Sequence, residues 1–438
     1  MTPIYLSAAV DALSAARLRE NGLELRLVDT TDAAELGSWL QAEFRGFHEG
    51  EPSAEELAAD LDGVTFRRTT GVWDATIAEP ELPVATVSSW PMQLTVPGER
   101  SVEAWAVSSV TVAPTHRRRG IARALLEAEL RTAAAAGVPL AMLTVTEATI
   151  YGRYGFGAAT LTAPHTIDSR RARWIGPTPA GRVHFVSPAN LLADGPAIVE
   201  RMRLAVPGEV ERWPLWWKKM LGLVEPTSAS SRAIRTVRYD DENGVAQGFA
   251  VFSVRDKEDY PAGLTVKHLV AASDDAYAAL WRFLVEIDLV GDITVPLRSV
   301  DEPLPWLFDD RRAAHKVDER DHLWLRILDL EGALEARRYS APGSFVLEVA
   351  DPLGFASGTV LVRVGDDGAA RVSPADASAD GIPRLSLTVN DLATIYLGGV
   401  RASVLHRAGR VAEGRPGDAQ KVDAAFRSPV APFTSIWF

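Results

Sequence analysis

Apolar positions along the 438-residue chain change period several times, and the changes divide it into elements. LELRLVD (Leu23 to Asp29) alternates apolar and polar residues and predicts a strand. Asp32-Ala-Ala-Glu35 then has the spacing of a capping box and predicts a helix carrying Leu36, Trp39 and Leu40. Val84 to Trp90 and Met92 to Val96 read as strands. So does the run from Ala104 to Pro114, with Val107, Val110 and Val112. A helix is expected from about Arg119 to Ala136, ended by Gly137 at C′. Pro139 to Thr146 reads as a buried strand, so strand, helix and strand form a βαβ crossover.

The order recurs further along. Arg182 to Val186, Ile234 to Tyr239 and Ala246 to Val254 predict strands, with Asn243-Gly244 as a hairpin turn. LTVKHLVAA, a helix from about Asp274 to Leu289, and DITVPL then repeat strand–helix–strand. The pattern implies an internal duplication with one loss. Where the first copy has HRRRGIA between strand and helix, the second has SDDAYAA, so an anion-binding turn has become acidic. A third region begins near Asp329. Ser344 to Val349 and Gly358 to Val364 alternate as strands around a turn at Gly365 to Gly368. LSLTV (Leu385 to Val389) follows, and Asn390 is expected to cap a short helix ending at Gly398-Gly399.

Composition narrows the classes. Lys and Arg number 46 against 58 Asp and Glu, a net charge of −12. That balance disfavours nucleic acid as a partner and favours cationic small molecules. The chain has no cysteine, which excludes disulfides, thiolate nucleophiles and Cys-ligated zinc. The eight His residues show no HxH or HExxH spacing, so no metal site is expected. The N-terminal segment lacks a basic region and carries Asp11, so no secretory leader is expected. No apolar run reaches membrane-spanning length, and a cytoplasmic protein is the expectation.

The sharpest chemistry lies in SSVTVAPTHRRRGIARALLEAEL. Pro114 ends the strand, because it has no N–H to give the ladder. Arg117, Arg118, Arg119 and Gly120 then form a turn into the helix, and Gly120 lets the backbone approach a ligand closely. The first helical N–H groups lack intrahelical partners, and the helix dipole adds about half a positive charge there. Three arginines around such a terminus suit a pyrophosphate. Neither a Walker A loop nor GxGxxG is present. Downstream, TEATIYGRYGFGAAT makes a tight aromatic turn. Either Tyr151 or Tyr154 is suited to protonating a leaving thiolate, since a phenol titrates near ~10 and a thiol near ~8.5.

Strand, R-x-x-G-x-A (Arg117, Gly120, Ala122) and helix resemble motif A of the GCN5-related N-acetyltransferases (GNAT), whose loop holds the pyrophosphate of acetyl-CoA. That resemblance implies that pantetheine lies between two splayed strands, Val107–Val112 and Leu140–Thr146. It also implies that amides near Val110 and Val112 polarise the thioester.

IYGRYGFG, HRRRG and the duplicated half together resemble a narrower group, the Eis (enhanced intracellular survival) acetyltransferases. The resemblance covers nearly the whole chain. It implies an α/β (α+β) architecture: a catalytic GNAT domain at 1–159, a degenerate GNAT-like domain at 160–328, and a sterol-carrier-like domain at 329–438. RLSLTVNDLATIYLGG resembles the sterol-carrier segment. By the same resemblance the general acid is Tyr151. The chain's last residue, Phe438 of APFTSIWF, offers its α-carboxylate as general base. CoA contacts fall on Val110, Thr111, Val112, Arg118, Arg119, Gly120, Ile121, Ala122, Arg123, Thr146 and Glu147, beside Arg117. The implied reaction is acetyl-CoA-dependent acetylation of primary amines (aminoglycoside-like, polyamine or lysine amines) by direct attack in a ternary complex. A homo-hexamer is also implied.

An α-carboxylate near ~3.5 is a weak base for an ammonium near ~10.4, so burial against Trp437 is expected to raise it. Where some family members carry an acid before the terminal Phe, this chain has Trp437. Glu43 and Glu49 are the candidates for the acidic wall instead. Two further readings are a non-catalytic acyl-CoA-binding protein and a lipid carrier acting through the C-terminal region.

Overall fold

The computed structural model describes residues 3–255, 260–376 and 381–438. Three sheets organise them. The first has seven strands, in the order Glu24–Leu27, Arg68–Trp73, Ala85–Val96, Arg100–Val112, Leu140–Thr144, Leu323–Ile327 and Gly157–Ala158. Its crossover helix is Ile121–Ala135, between the parallel strands Arg100–Val112 and Leu140–Thr144. The second sheet has eight strands and repeats the motif. There the helix Asp274–Val285 joins the parallel strands Ala262–Ala271 and Val290–Ser299. The third has five strands, Ala370–Pro374, Gly358–Val364, Gly343–Ala350, Arg384–Thr388 and Ala412–Glu413.

Chain order and sheet membership part company at one place. Leu323–Ile327 lies after every strand of the second sheet, yet it pairs antiparallel with Leu140–Thr144 in the first. Leu161–Asp168 crosses the other way and joins the second. The two halves are therefore laced together by exchanged strands.

Period-2 alternation decides what each face of the first sheet meets. Trp105, Val107, Ala141 and Leu143 point to the side of the helix Ile121–Ala135, where they share a core with Leu125 and Leu130. Ala104, Ala106, Leu140 and Met142 point to the opposite side. There they share one continuous core with Leu347, Leu392, Ile395 and Phe426 of the third sheet and its helices. The C-terminal region is thus fused to the first sheet through buried apolar contact, which brings the end of the chain to the first sheet.

Several local expectations are revised. Val84–Trp90 and Met92–Val96 are one strand running through Pro91, which sits opposite Trp105. Asp32 does cap its helix, accepting from Ala34 and Glu35 N–H, but Glu35 completes no box. Its carboxylate accepts from Asp29 N–H at 3.3 Å. The helix expected from Arg119 begins at Ile121, after a turn with Arg118 at φ 63° and Gly120 at φ 77°. The helix Val389–Tyr396 is capped by Thr388 in a full capping box with Asp391, not by Asn390. Helices beyond those the periodicity predicts include Ala54–Gly63, Ala12–Arg19, Pro188–Ala205, Pro214–Met220 and Asp418–Phe426. Ser53-Ala-Glu-Glu56, a complete capping box, announces the first of them.

Candidate active site

The strands Arg100–Val112 and Leu140–Thr144 pair only at Ala104, Trp105 and Ala106. Beyond Ala106 no further pair joins them, and the sheet is open on that side. A β-bulge lies just past the parting. Thr86 faces Thr111 and Ser88 faces Ser108, so Ser109 and Val110 together oppose Val87. Ser109 has φ 57°, and the Thr86 hydroxyl holds its carbonyl at 2.7 Å. Bulges re-aim backbone groups beside sites. Past it Thr111 and Val112 pair again with Thr86 and Ala85, and Val110 lines the opening.

The wall of the opening is a cavity of about 410 Å³. Ser108, Val110, Leu143, Thr144, Thr146, Tyr151 and Phe438 line it, together with Glu43, Phe47, Glu49, Lys219 and Trp437. The structure therefore brings Val110, Thr146, Tyr151 and Phe438 together, and it puts both expected acids, Glu43 and Glu49, on the same wall. Glu43 also hydrogen-bonds the Ser109 hydroxyl of the bulge. Burial raises the Glu43 carboxyl above the usual range.

The turn preceding the helix Ile121–Ala135 is exposed, and a Cβ at Gly120 would meet no atom within 4 Å. No side chain caps this helix, so its first N–H groups face the open turn. The arginines divide into two pairs. Arg119 is engaged with Asp74 at 3.2 Å and Asn21 O at 2.9 Å, and Arg123 with Glu127 at 2.6 Å. Thr76 foremost, then His116 and Arg119, hold the Asp74 carboxyl well below the usual range. Arg117 and Arg118 form no hydrogen bond or ion pair among the described residues, and both are exposed. The corresponding turn of the second half is closed. Ser273 caps Asp274–Val285 by accepting from Ala276 N–H, and Asp274 and Asp275 fill the first turn.

Tyr151 ends the helix Ala148–Tyr151 and is buried. Burial foremost, then Glu147, pushes its phenol up to about 12. Tyr154 is raised as well, by burial, but its other influences are Arg153, Glu127 and Arg123 on the side of the crossover helix. Only Tyr151 of the two lines the cavity with Phe438. The turn bearing both tyrosines is fixed from two directions. Arg326 Nε donates to Tyr154 O at 2.7 Å, while the same guanidinium grips Asp351 at 2.7 and 2.8 Å. Asn390 donates to Gly152 O at 2.8 Å and to Phe156 O at 2.7 Å. Gly157 is required beneath this clamp, because a Cβ there would lie 2.1 Å from Asn390 O.

The last residues thread between the first and second halves. Phe433 N–H donates to Pro207 O, and Thr434 Oγ1 donates to Gly208 O at 2.7 Å. Arg212 donates to Ser435 Oγ at 2.6 Å. His322 Nε2 donates to Ile436 O at 2.8 Å. Thr144 Oγ1 accepts from Phe438 N–H at 3.2 Å and donates to the main-chain oxygen of Phe438 at 2.9 Å. The Phe438 ring packs edge-on against Trp90, and Trp437 packs on His322 rather than over Phe438. Thr144, His322, Arg326 and Asn390 were not singled out as site residues from sequence. Each acts by holding another residue's backbone, which leaves no motif.

Comparison with known proteins identifies the family. The acetyltransferase (GNAT) domain profiles match residues 28–159 and 208–327, and the sterol carrier protein domain profile matches 330–435. An uncharacterized N-acetyltransferase of Streptomyces avermitilis is 36% identical over 414 residues, covering 92% of this chain and 97% of that protein. The N-acetyltransferase Eis of Mycobacterium tuberculosis is 37% identical over 358 residues, covering 79% of this chain and 84% of that protein. The crystal structure of Eis1 from Mycobacterium abscessus superposes with a TM-score of 0.78 at 31% identity, covering 95% of this chain and 100% of that one. Two GNAT halves, a sterol-carrier-like third region and this similarity place the chain in the Eis family of GNAT enzymes: it is an N-acetyltransferase.

Proposed function

We propose that the protein transfers the acetyl group of acetyl-CoA directly to a primary amine, with both substrates held at once. The observation that carries this reading is the parting of two strands beside a cavity lined by Tyr151 and Phe438. The open edge at Val110 to Val112 and the uncapped turn at Arg117 to Gly120 suit pantetheine and pyrophosphate respectively. Ile121, Ala122 and Arg123 supply helix N-terminal amides, and Thr146 and Glu147, just past the end of the strand Leu140–Thr144, flank the pantetheine.

The roles follow from position. Amides at the bulge polarise the thioester carbonyl as the C–N bond forms and the C–S bond breaks. The terminal carboxylate of Phe438 takes the proton from the nitrogen after attack, when that nitrogen is far more acidic than a free ammonium. Tyr151, kept protonated by burial, gives its proton to the departing CoA thiolate and regains one from solvent. Family resemblance adds a homo-hexamer, and a cytoplasmic location remains the expectation from the sequence. Sedimentation velocity tests the first by asking for six times the mass of one chain. Among the described residues no helix is long and apolar enough to cross a membrane.

The test is CoA release followed with a thiol-reactive dye, using aminoglycosides, polyamines and lysine-containing peptides. The chain has no cysteine, so the dye reports CoA alone. Acetyl-CoA-dependent turnover of an amine, with the acetylated product found by mass spectrometry, is expected. Tight binding of acetyl-CoA without turnover of any amine would overturn the reading in favour of a binding protein.

A further inference from the structure

A second recess of about 230 Å³ adjoins the active-site cavity. The two share Glu43, Phe47, Glu49 and Lys219 as lining, and Arg67 and Asp60 line the recess beyond them. Arg67 is half-buried, and its guanidinium differs from those of the other enclosed arginines. Arg68 donates to the carbonyls of Tyr5, Ala8 and Ala9. Arg203, Arg212, Arg298 and Arg326 are each paired with a carboxylate, and Arg337 is bound by three carbonyls. The Arg67 guanidinium has no hydrogen-bond or ion-pair partner among the described residues, and its Nε is shut off from solvent. An aromatic cage holds it instead, with Cζ 4.2 Å from the Trp90 ring, 5.2 Å from Trp213 and 5.7 Å from Phe66.

Cation–π contact orients such a group, but it leaves the N–H edges unsatisfied. Glu43 and Asp60 attract the Arg67 guanidinium electrostatically, but neither forms a hydrogen bond or ion pair with it. Lys219 is bound to Asp60 at 2.7 Å, and Glu43 is bound to Ser109. Trp90 also packs against the Phe438 ring, so one indole touches both the Arg67 guanidinium and the side chain of the terminal residue. Because the cavity and the recess share a wall, an acceptor whose amine lies at Phe438 can extend a second group toward Arg67. The chemistry that completes a planar fork of donors is a carboxylate.

Resting on the amine-transfer reading above, we propose that the acceptor is an amine that also bears a carboxylate, paired by Arg67. A free amino acid or a related amino acid derivative fits, with its carboxylate at Arg67 and its ammonium facing Glu43 and Glu49 of the shared wall.

The test compares amino acids with their decarboxylated counterparts, for example lysine with 1,5-diaminopentane, by CoA release in the full-length protein. The carboxylate form is expected to be favoured by about 10- to 100-fold in kcat/KM, the value of a charged hydrogen-bonded pair. In Arg67→Gln that ratio should collapse toward unity, mostly through KM, while acetyl-CoA binding by calorimetry persists. Arg67→Lys should recover part of it. Equal or better use of the decarboxylated amines, with a ratio unchanged in Arg67→Gln, would overturn the proposal and leave amine transfer standing. If neither series turns over, amine transfer itself fails. Calorimetric binding of lysine, lost or kept in Arg67→Gln, then still decides whether Arg67 holds a carboxylate.

Discussion

A single hydroxyl, Thr144 Oγ1, takes the N–H of Phe438 and gives its own proton to the main-chain oxygen of the same residue, at 3.2 and 2.9 Å. Residues 294 apart in sequence are thus joined at the mouth of the parted strands. Thr144 belongs to the strand that forms one lip of that opening, so the hydroxyl fixes the terminus relative to the site of bond formation. Thr144→Val keeps the shape and removes both bonds. Turnover should fall by about tenfold or more, with acetyl-CoA affinity unchanged, since a hydrogen bond to a charged group contributes about 1.5–3 kcal/mol. Thr144→Ser should restore it. Steady-state kcat and KM for the two variants check this.

Tyr151→Phe tests the acid. Loss of a positioned proton donor lowers kcat by about 10²–10⁴-fold, and the substitution leaves packing against Phe156 intact. Burial pushes the phenol up to about 12, so its ionisation should impose no alkaline fall in kcat below pH ~10. A Tyr151→Phe enzyme with wild-type kcat would remove the residue from the mechanism.

The Arg326–Asp351 pair is fully buried and ties the first sheet to the third region and the tyrosine turn. Asp351→Ala leaves a buried guanidinium without its carboxylate, which costs about 3–5 kcal/mol. A lower thermal midpoint is expected. Arg326→Met with Asp351→Leu should recover much of that stability, but not activity, because the hold on Tyr154 O is gone. Differential scanning calorimetry and CoA release separate the two effects.

His322 links the tail to pH. Burial drives its imidazole down to about 4, against an ordinary value of 6.5, and the neutral ring donates to Ile436 O. Between these values the unfolded chain binds the extra proton and the folded one does not. Stability therefore rises with pH from about 4 to 6.5 and is lost as pH falls through that window. The gap is worth on the order of 3 kcal/mol. His322→Gln should flatten this part of the stability profile, measured by urea unfolding at pH 4.5 and 7.

How much of this was legible depends on whether a residue acts through a pattern or through a contact. The turn Arg117–Gly120 announces itself, because strand, proline, arginines, glycine and helix must follow in that order. Which arginines are free did not show, since Arg119 is engaged by Asp74 and Asn21, which lie far from it in sequence. Asn390 was read as a cap from its place before a helix. Thr388 occupies the cap, and Asn390 is released to clamp Gly152 and Phe156. The exchanged strand Leu323–Ile327 looks like any other apolar run. Its partner is chosen by the open edge beside Leu140–Thr144, which no local spacing encodes. Arg67 was overlooked for the same reason: its meaning lies in the carboxylate partner it lacks.

The most direct measurement concerns the end of the chain. CoA release by wild type should be compared with a variant carrying two glycines after Phe438, with acetyl-CoA binding followed in both by calorimetry. The account expects the extended protein to bind acetyl-CoA as tightly as wild type and to lose amine turnover, because the carboxylate has been moved away from Thr144. Equal turnover in the two proteins would contradict it, and would leave Trp437 and Phe438 as packing residues alone.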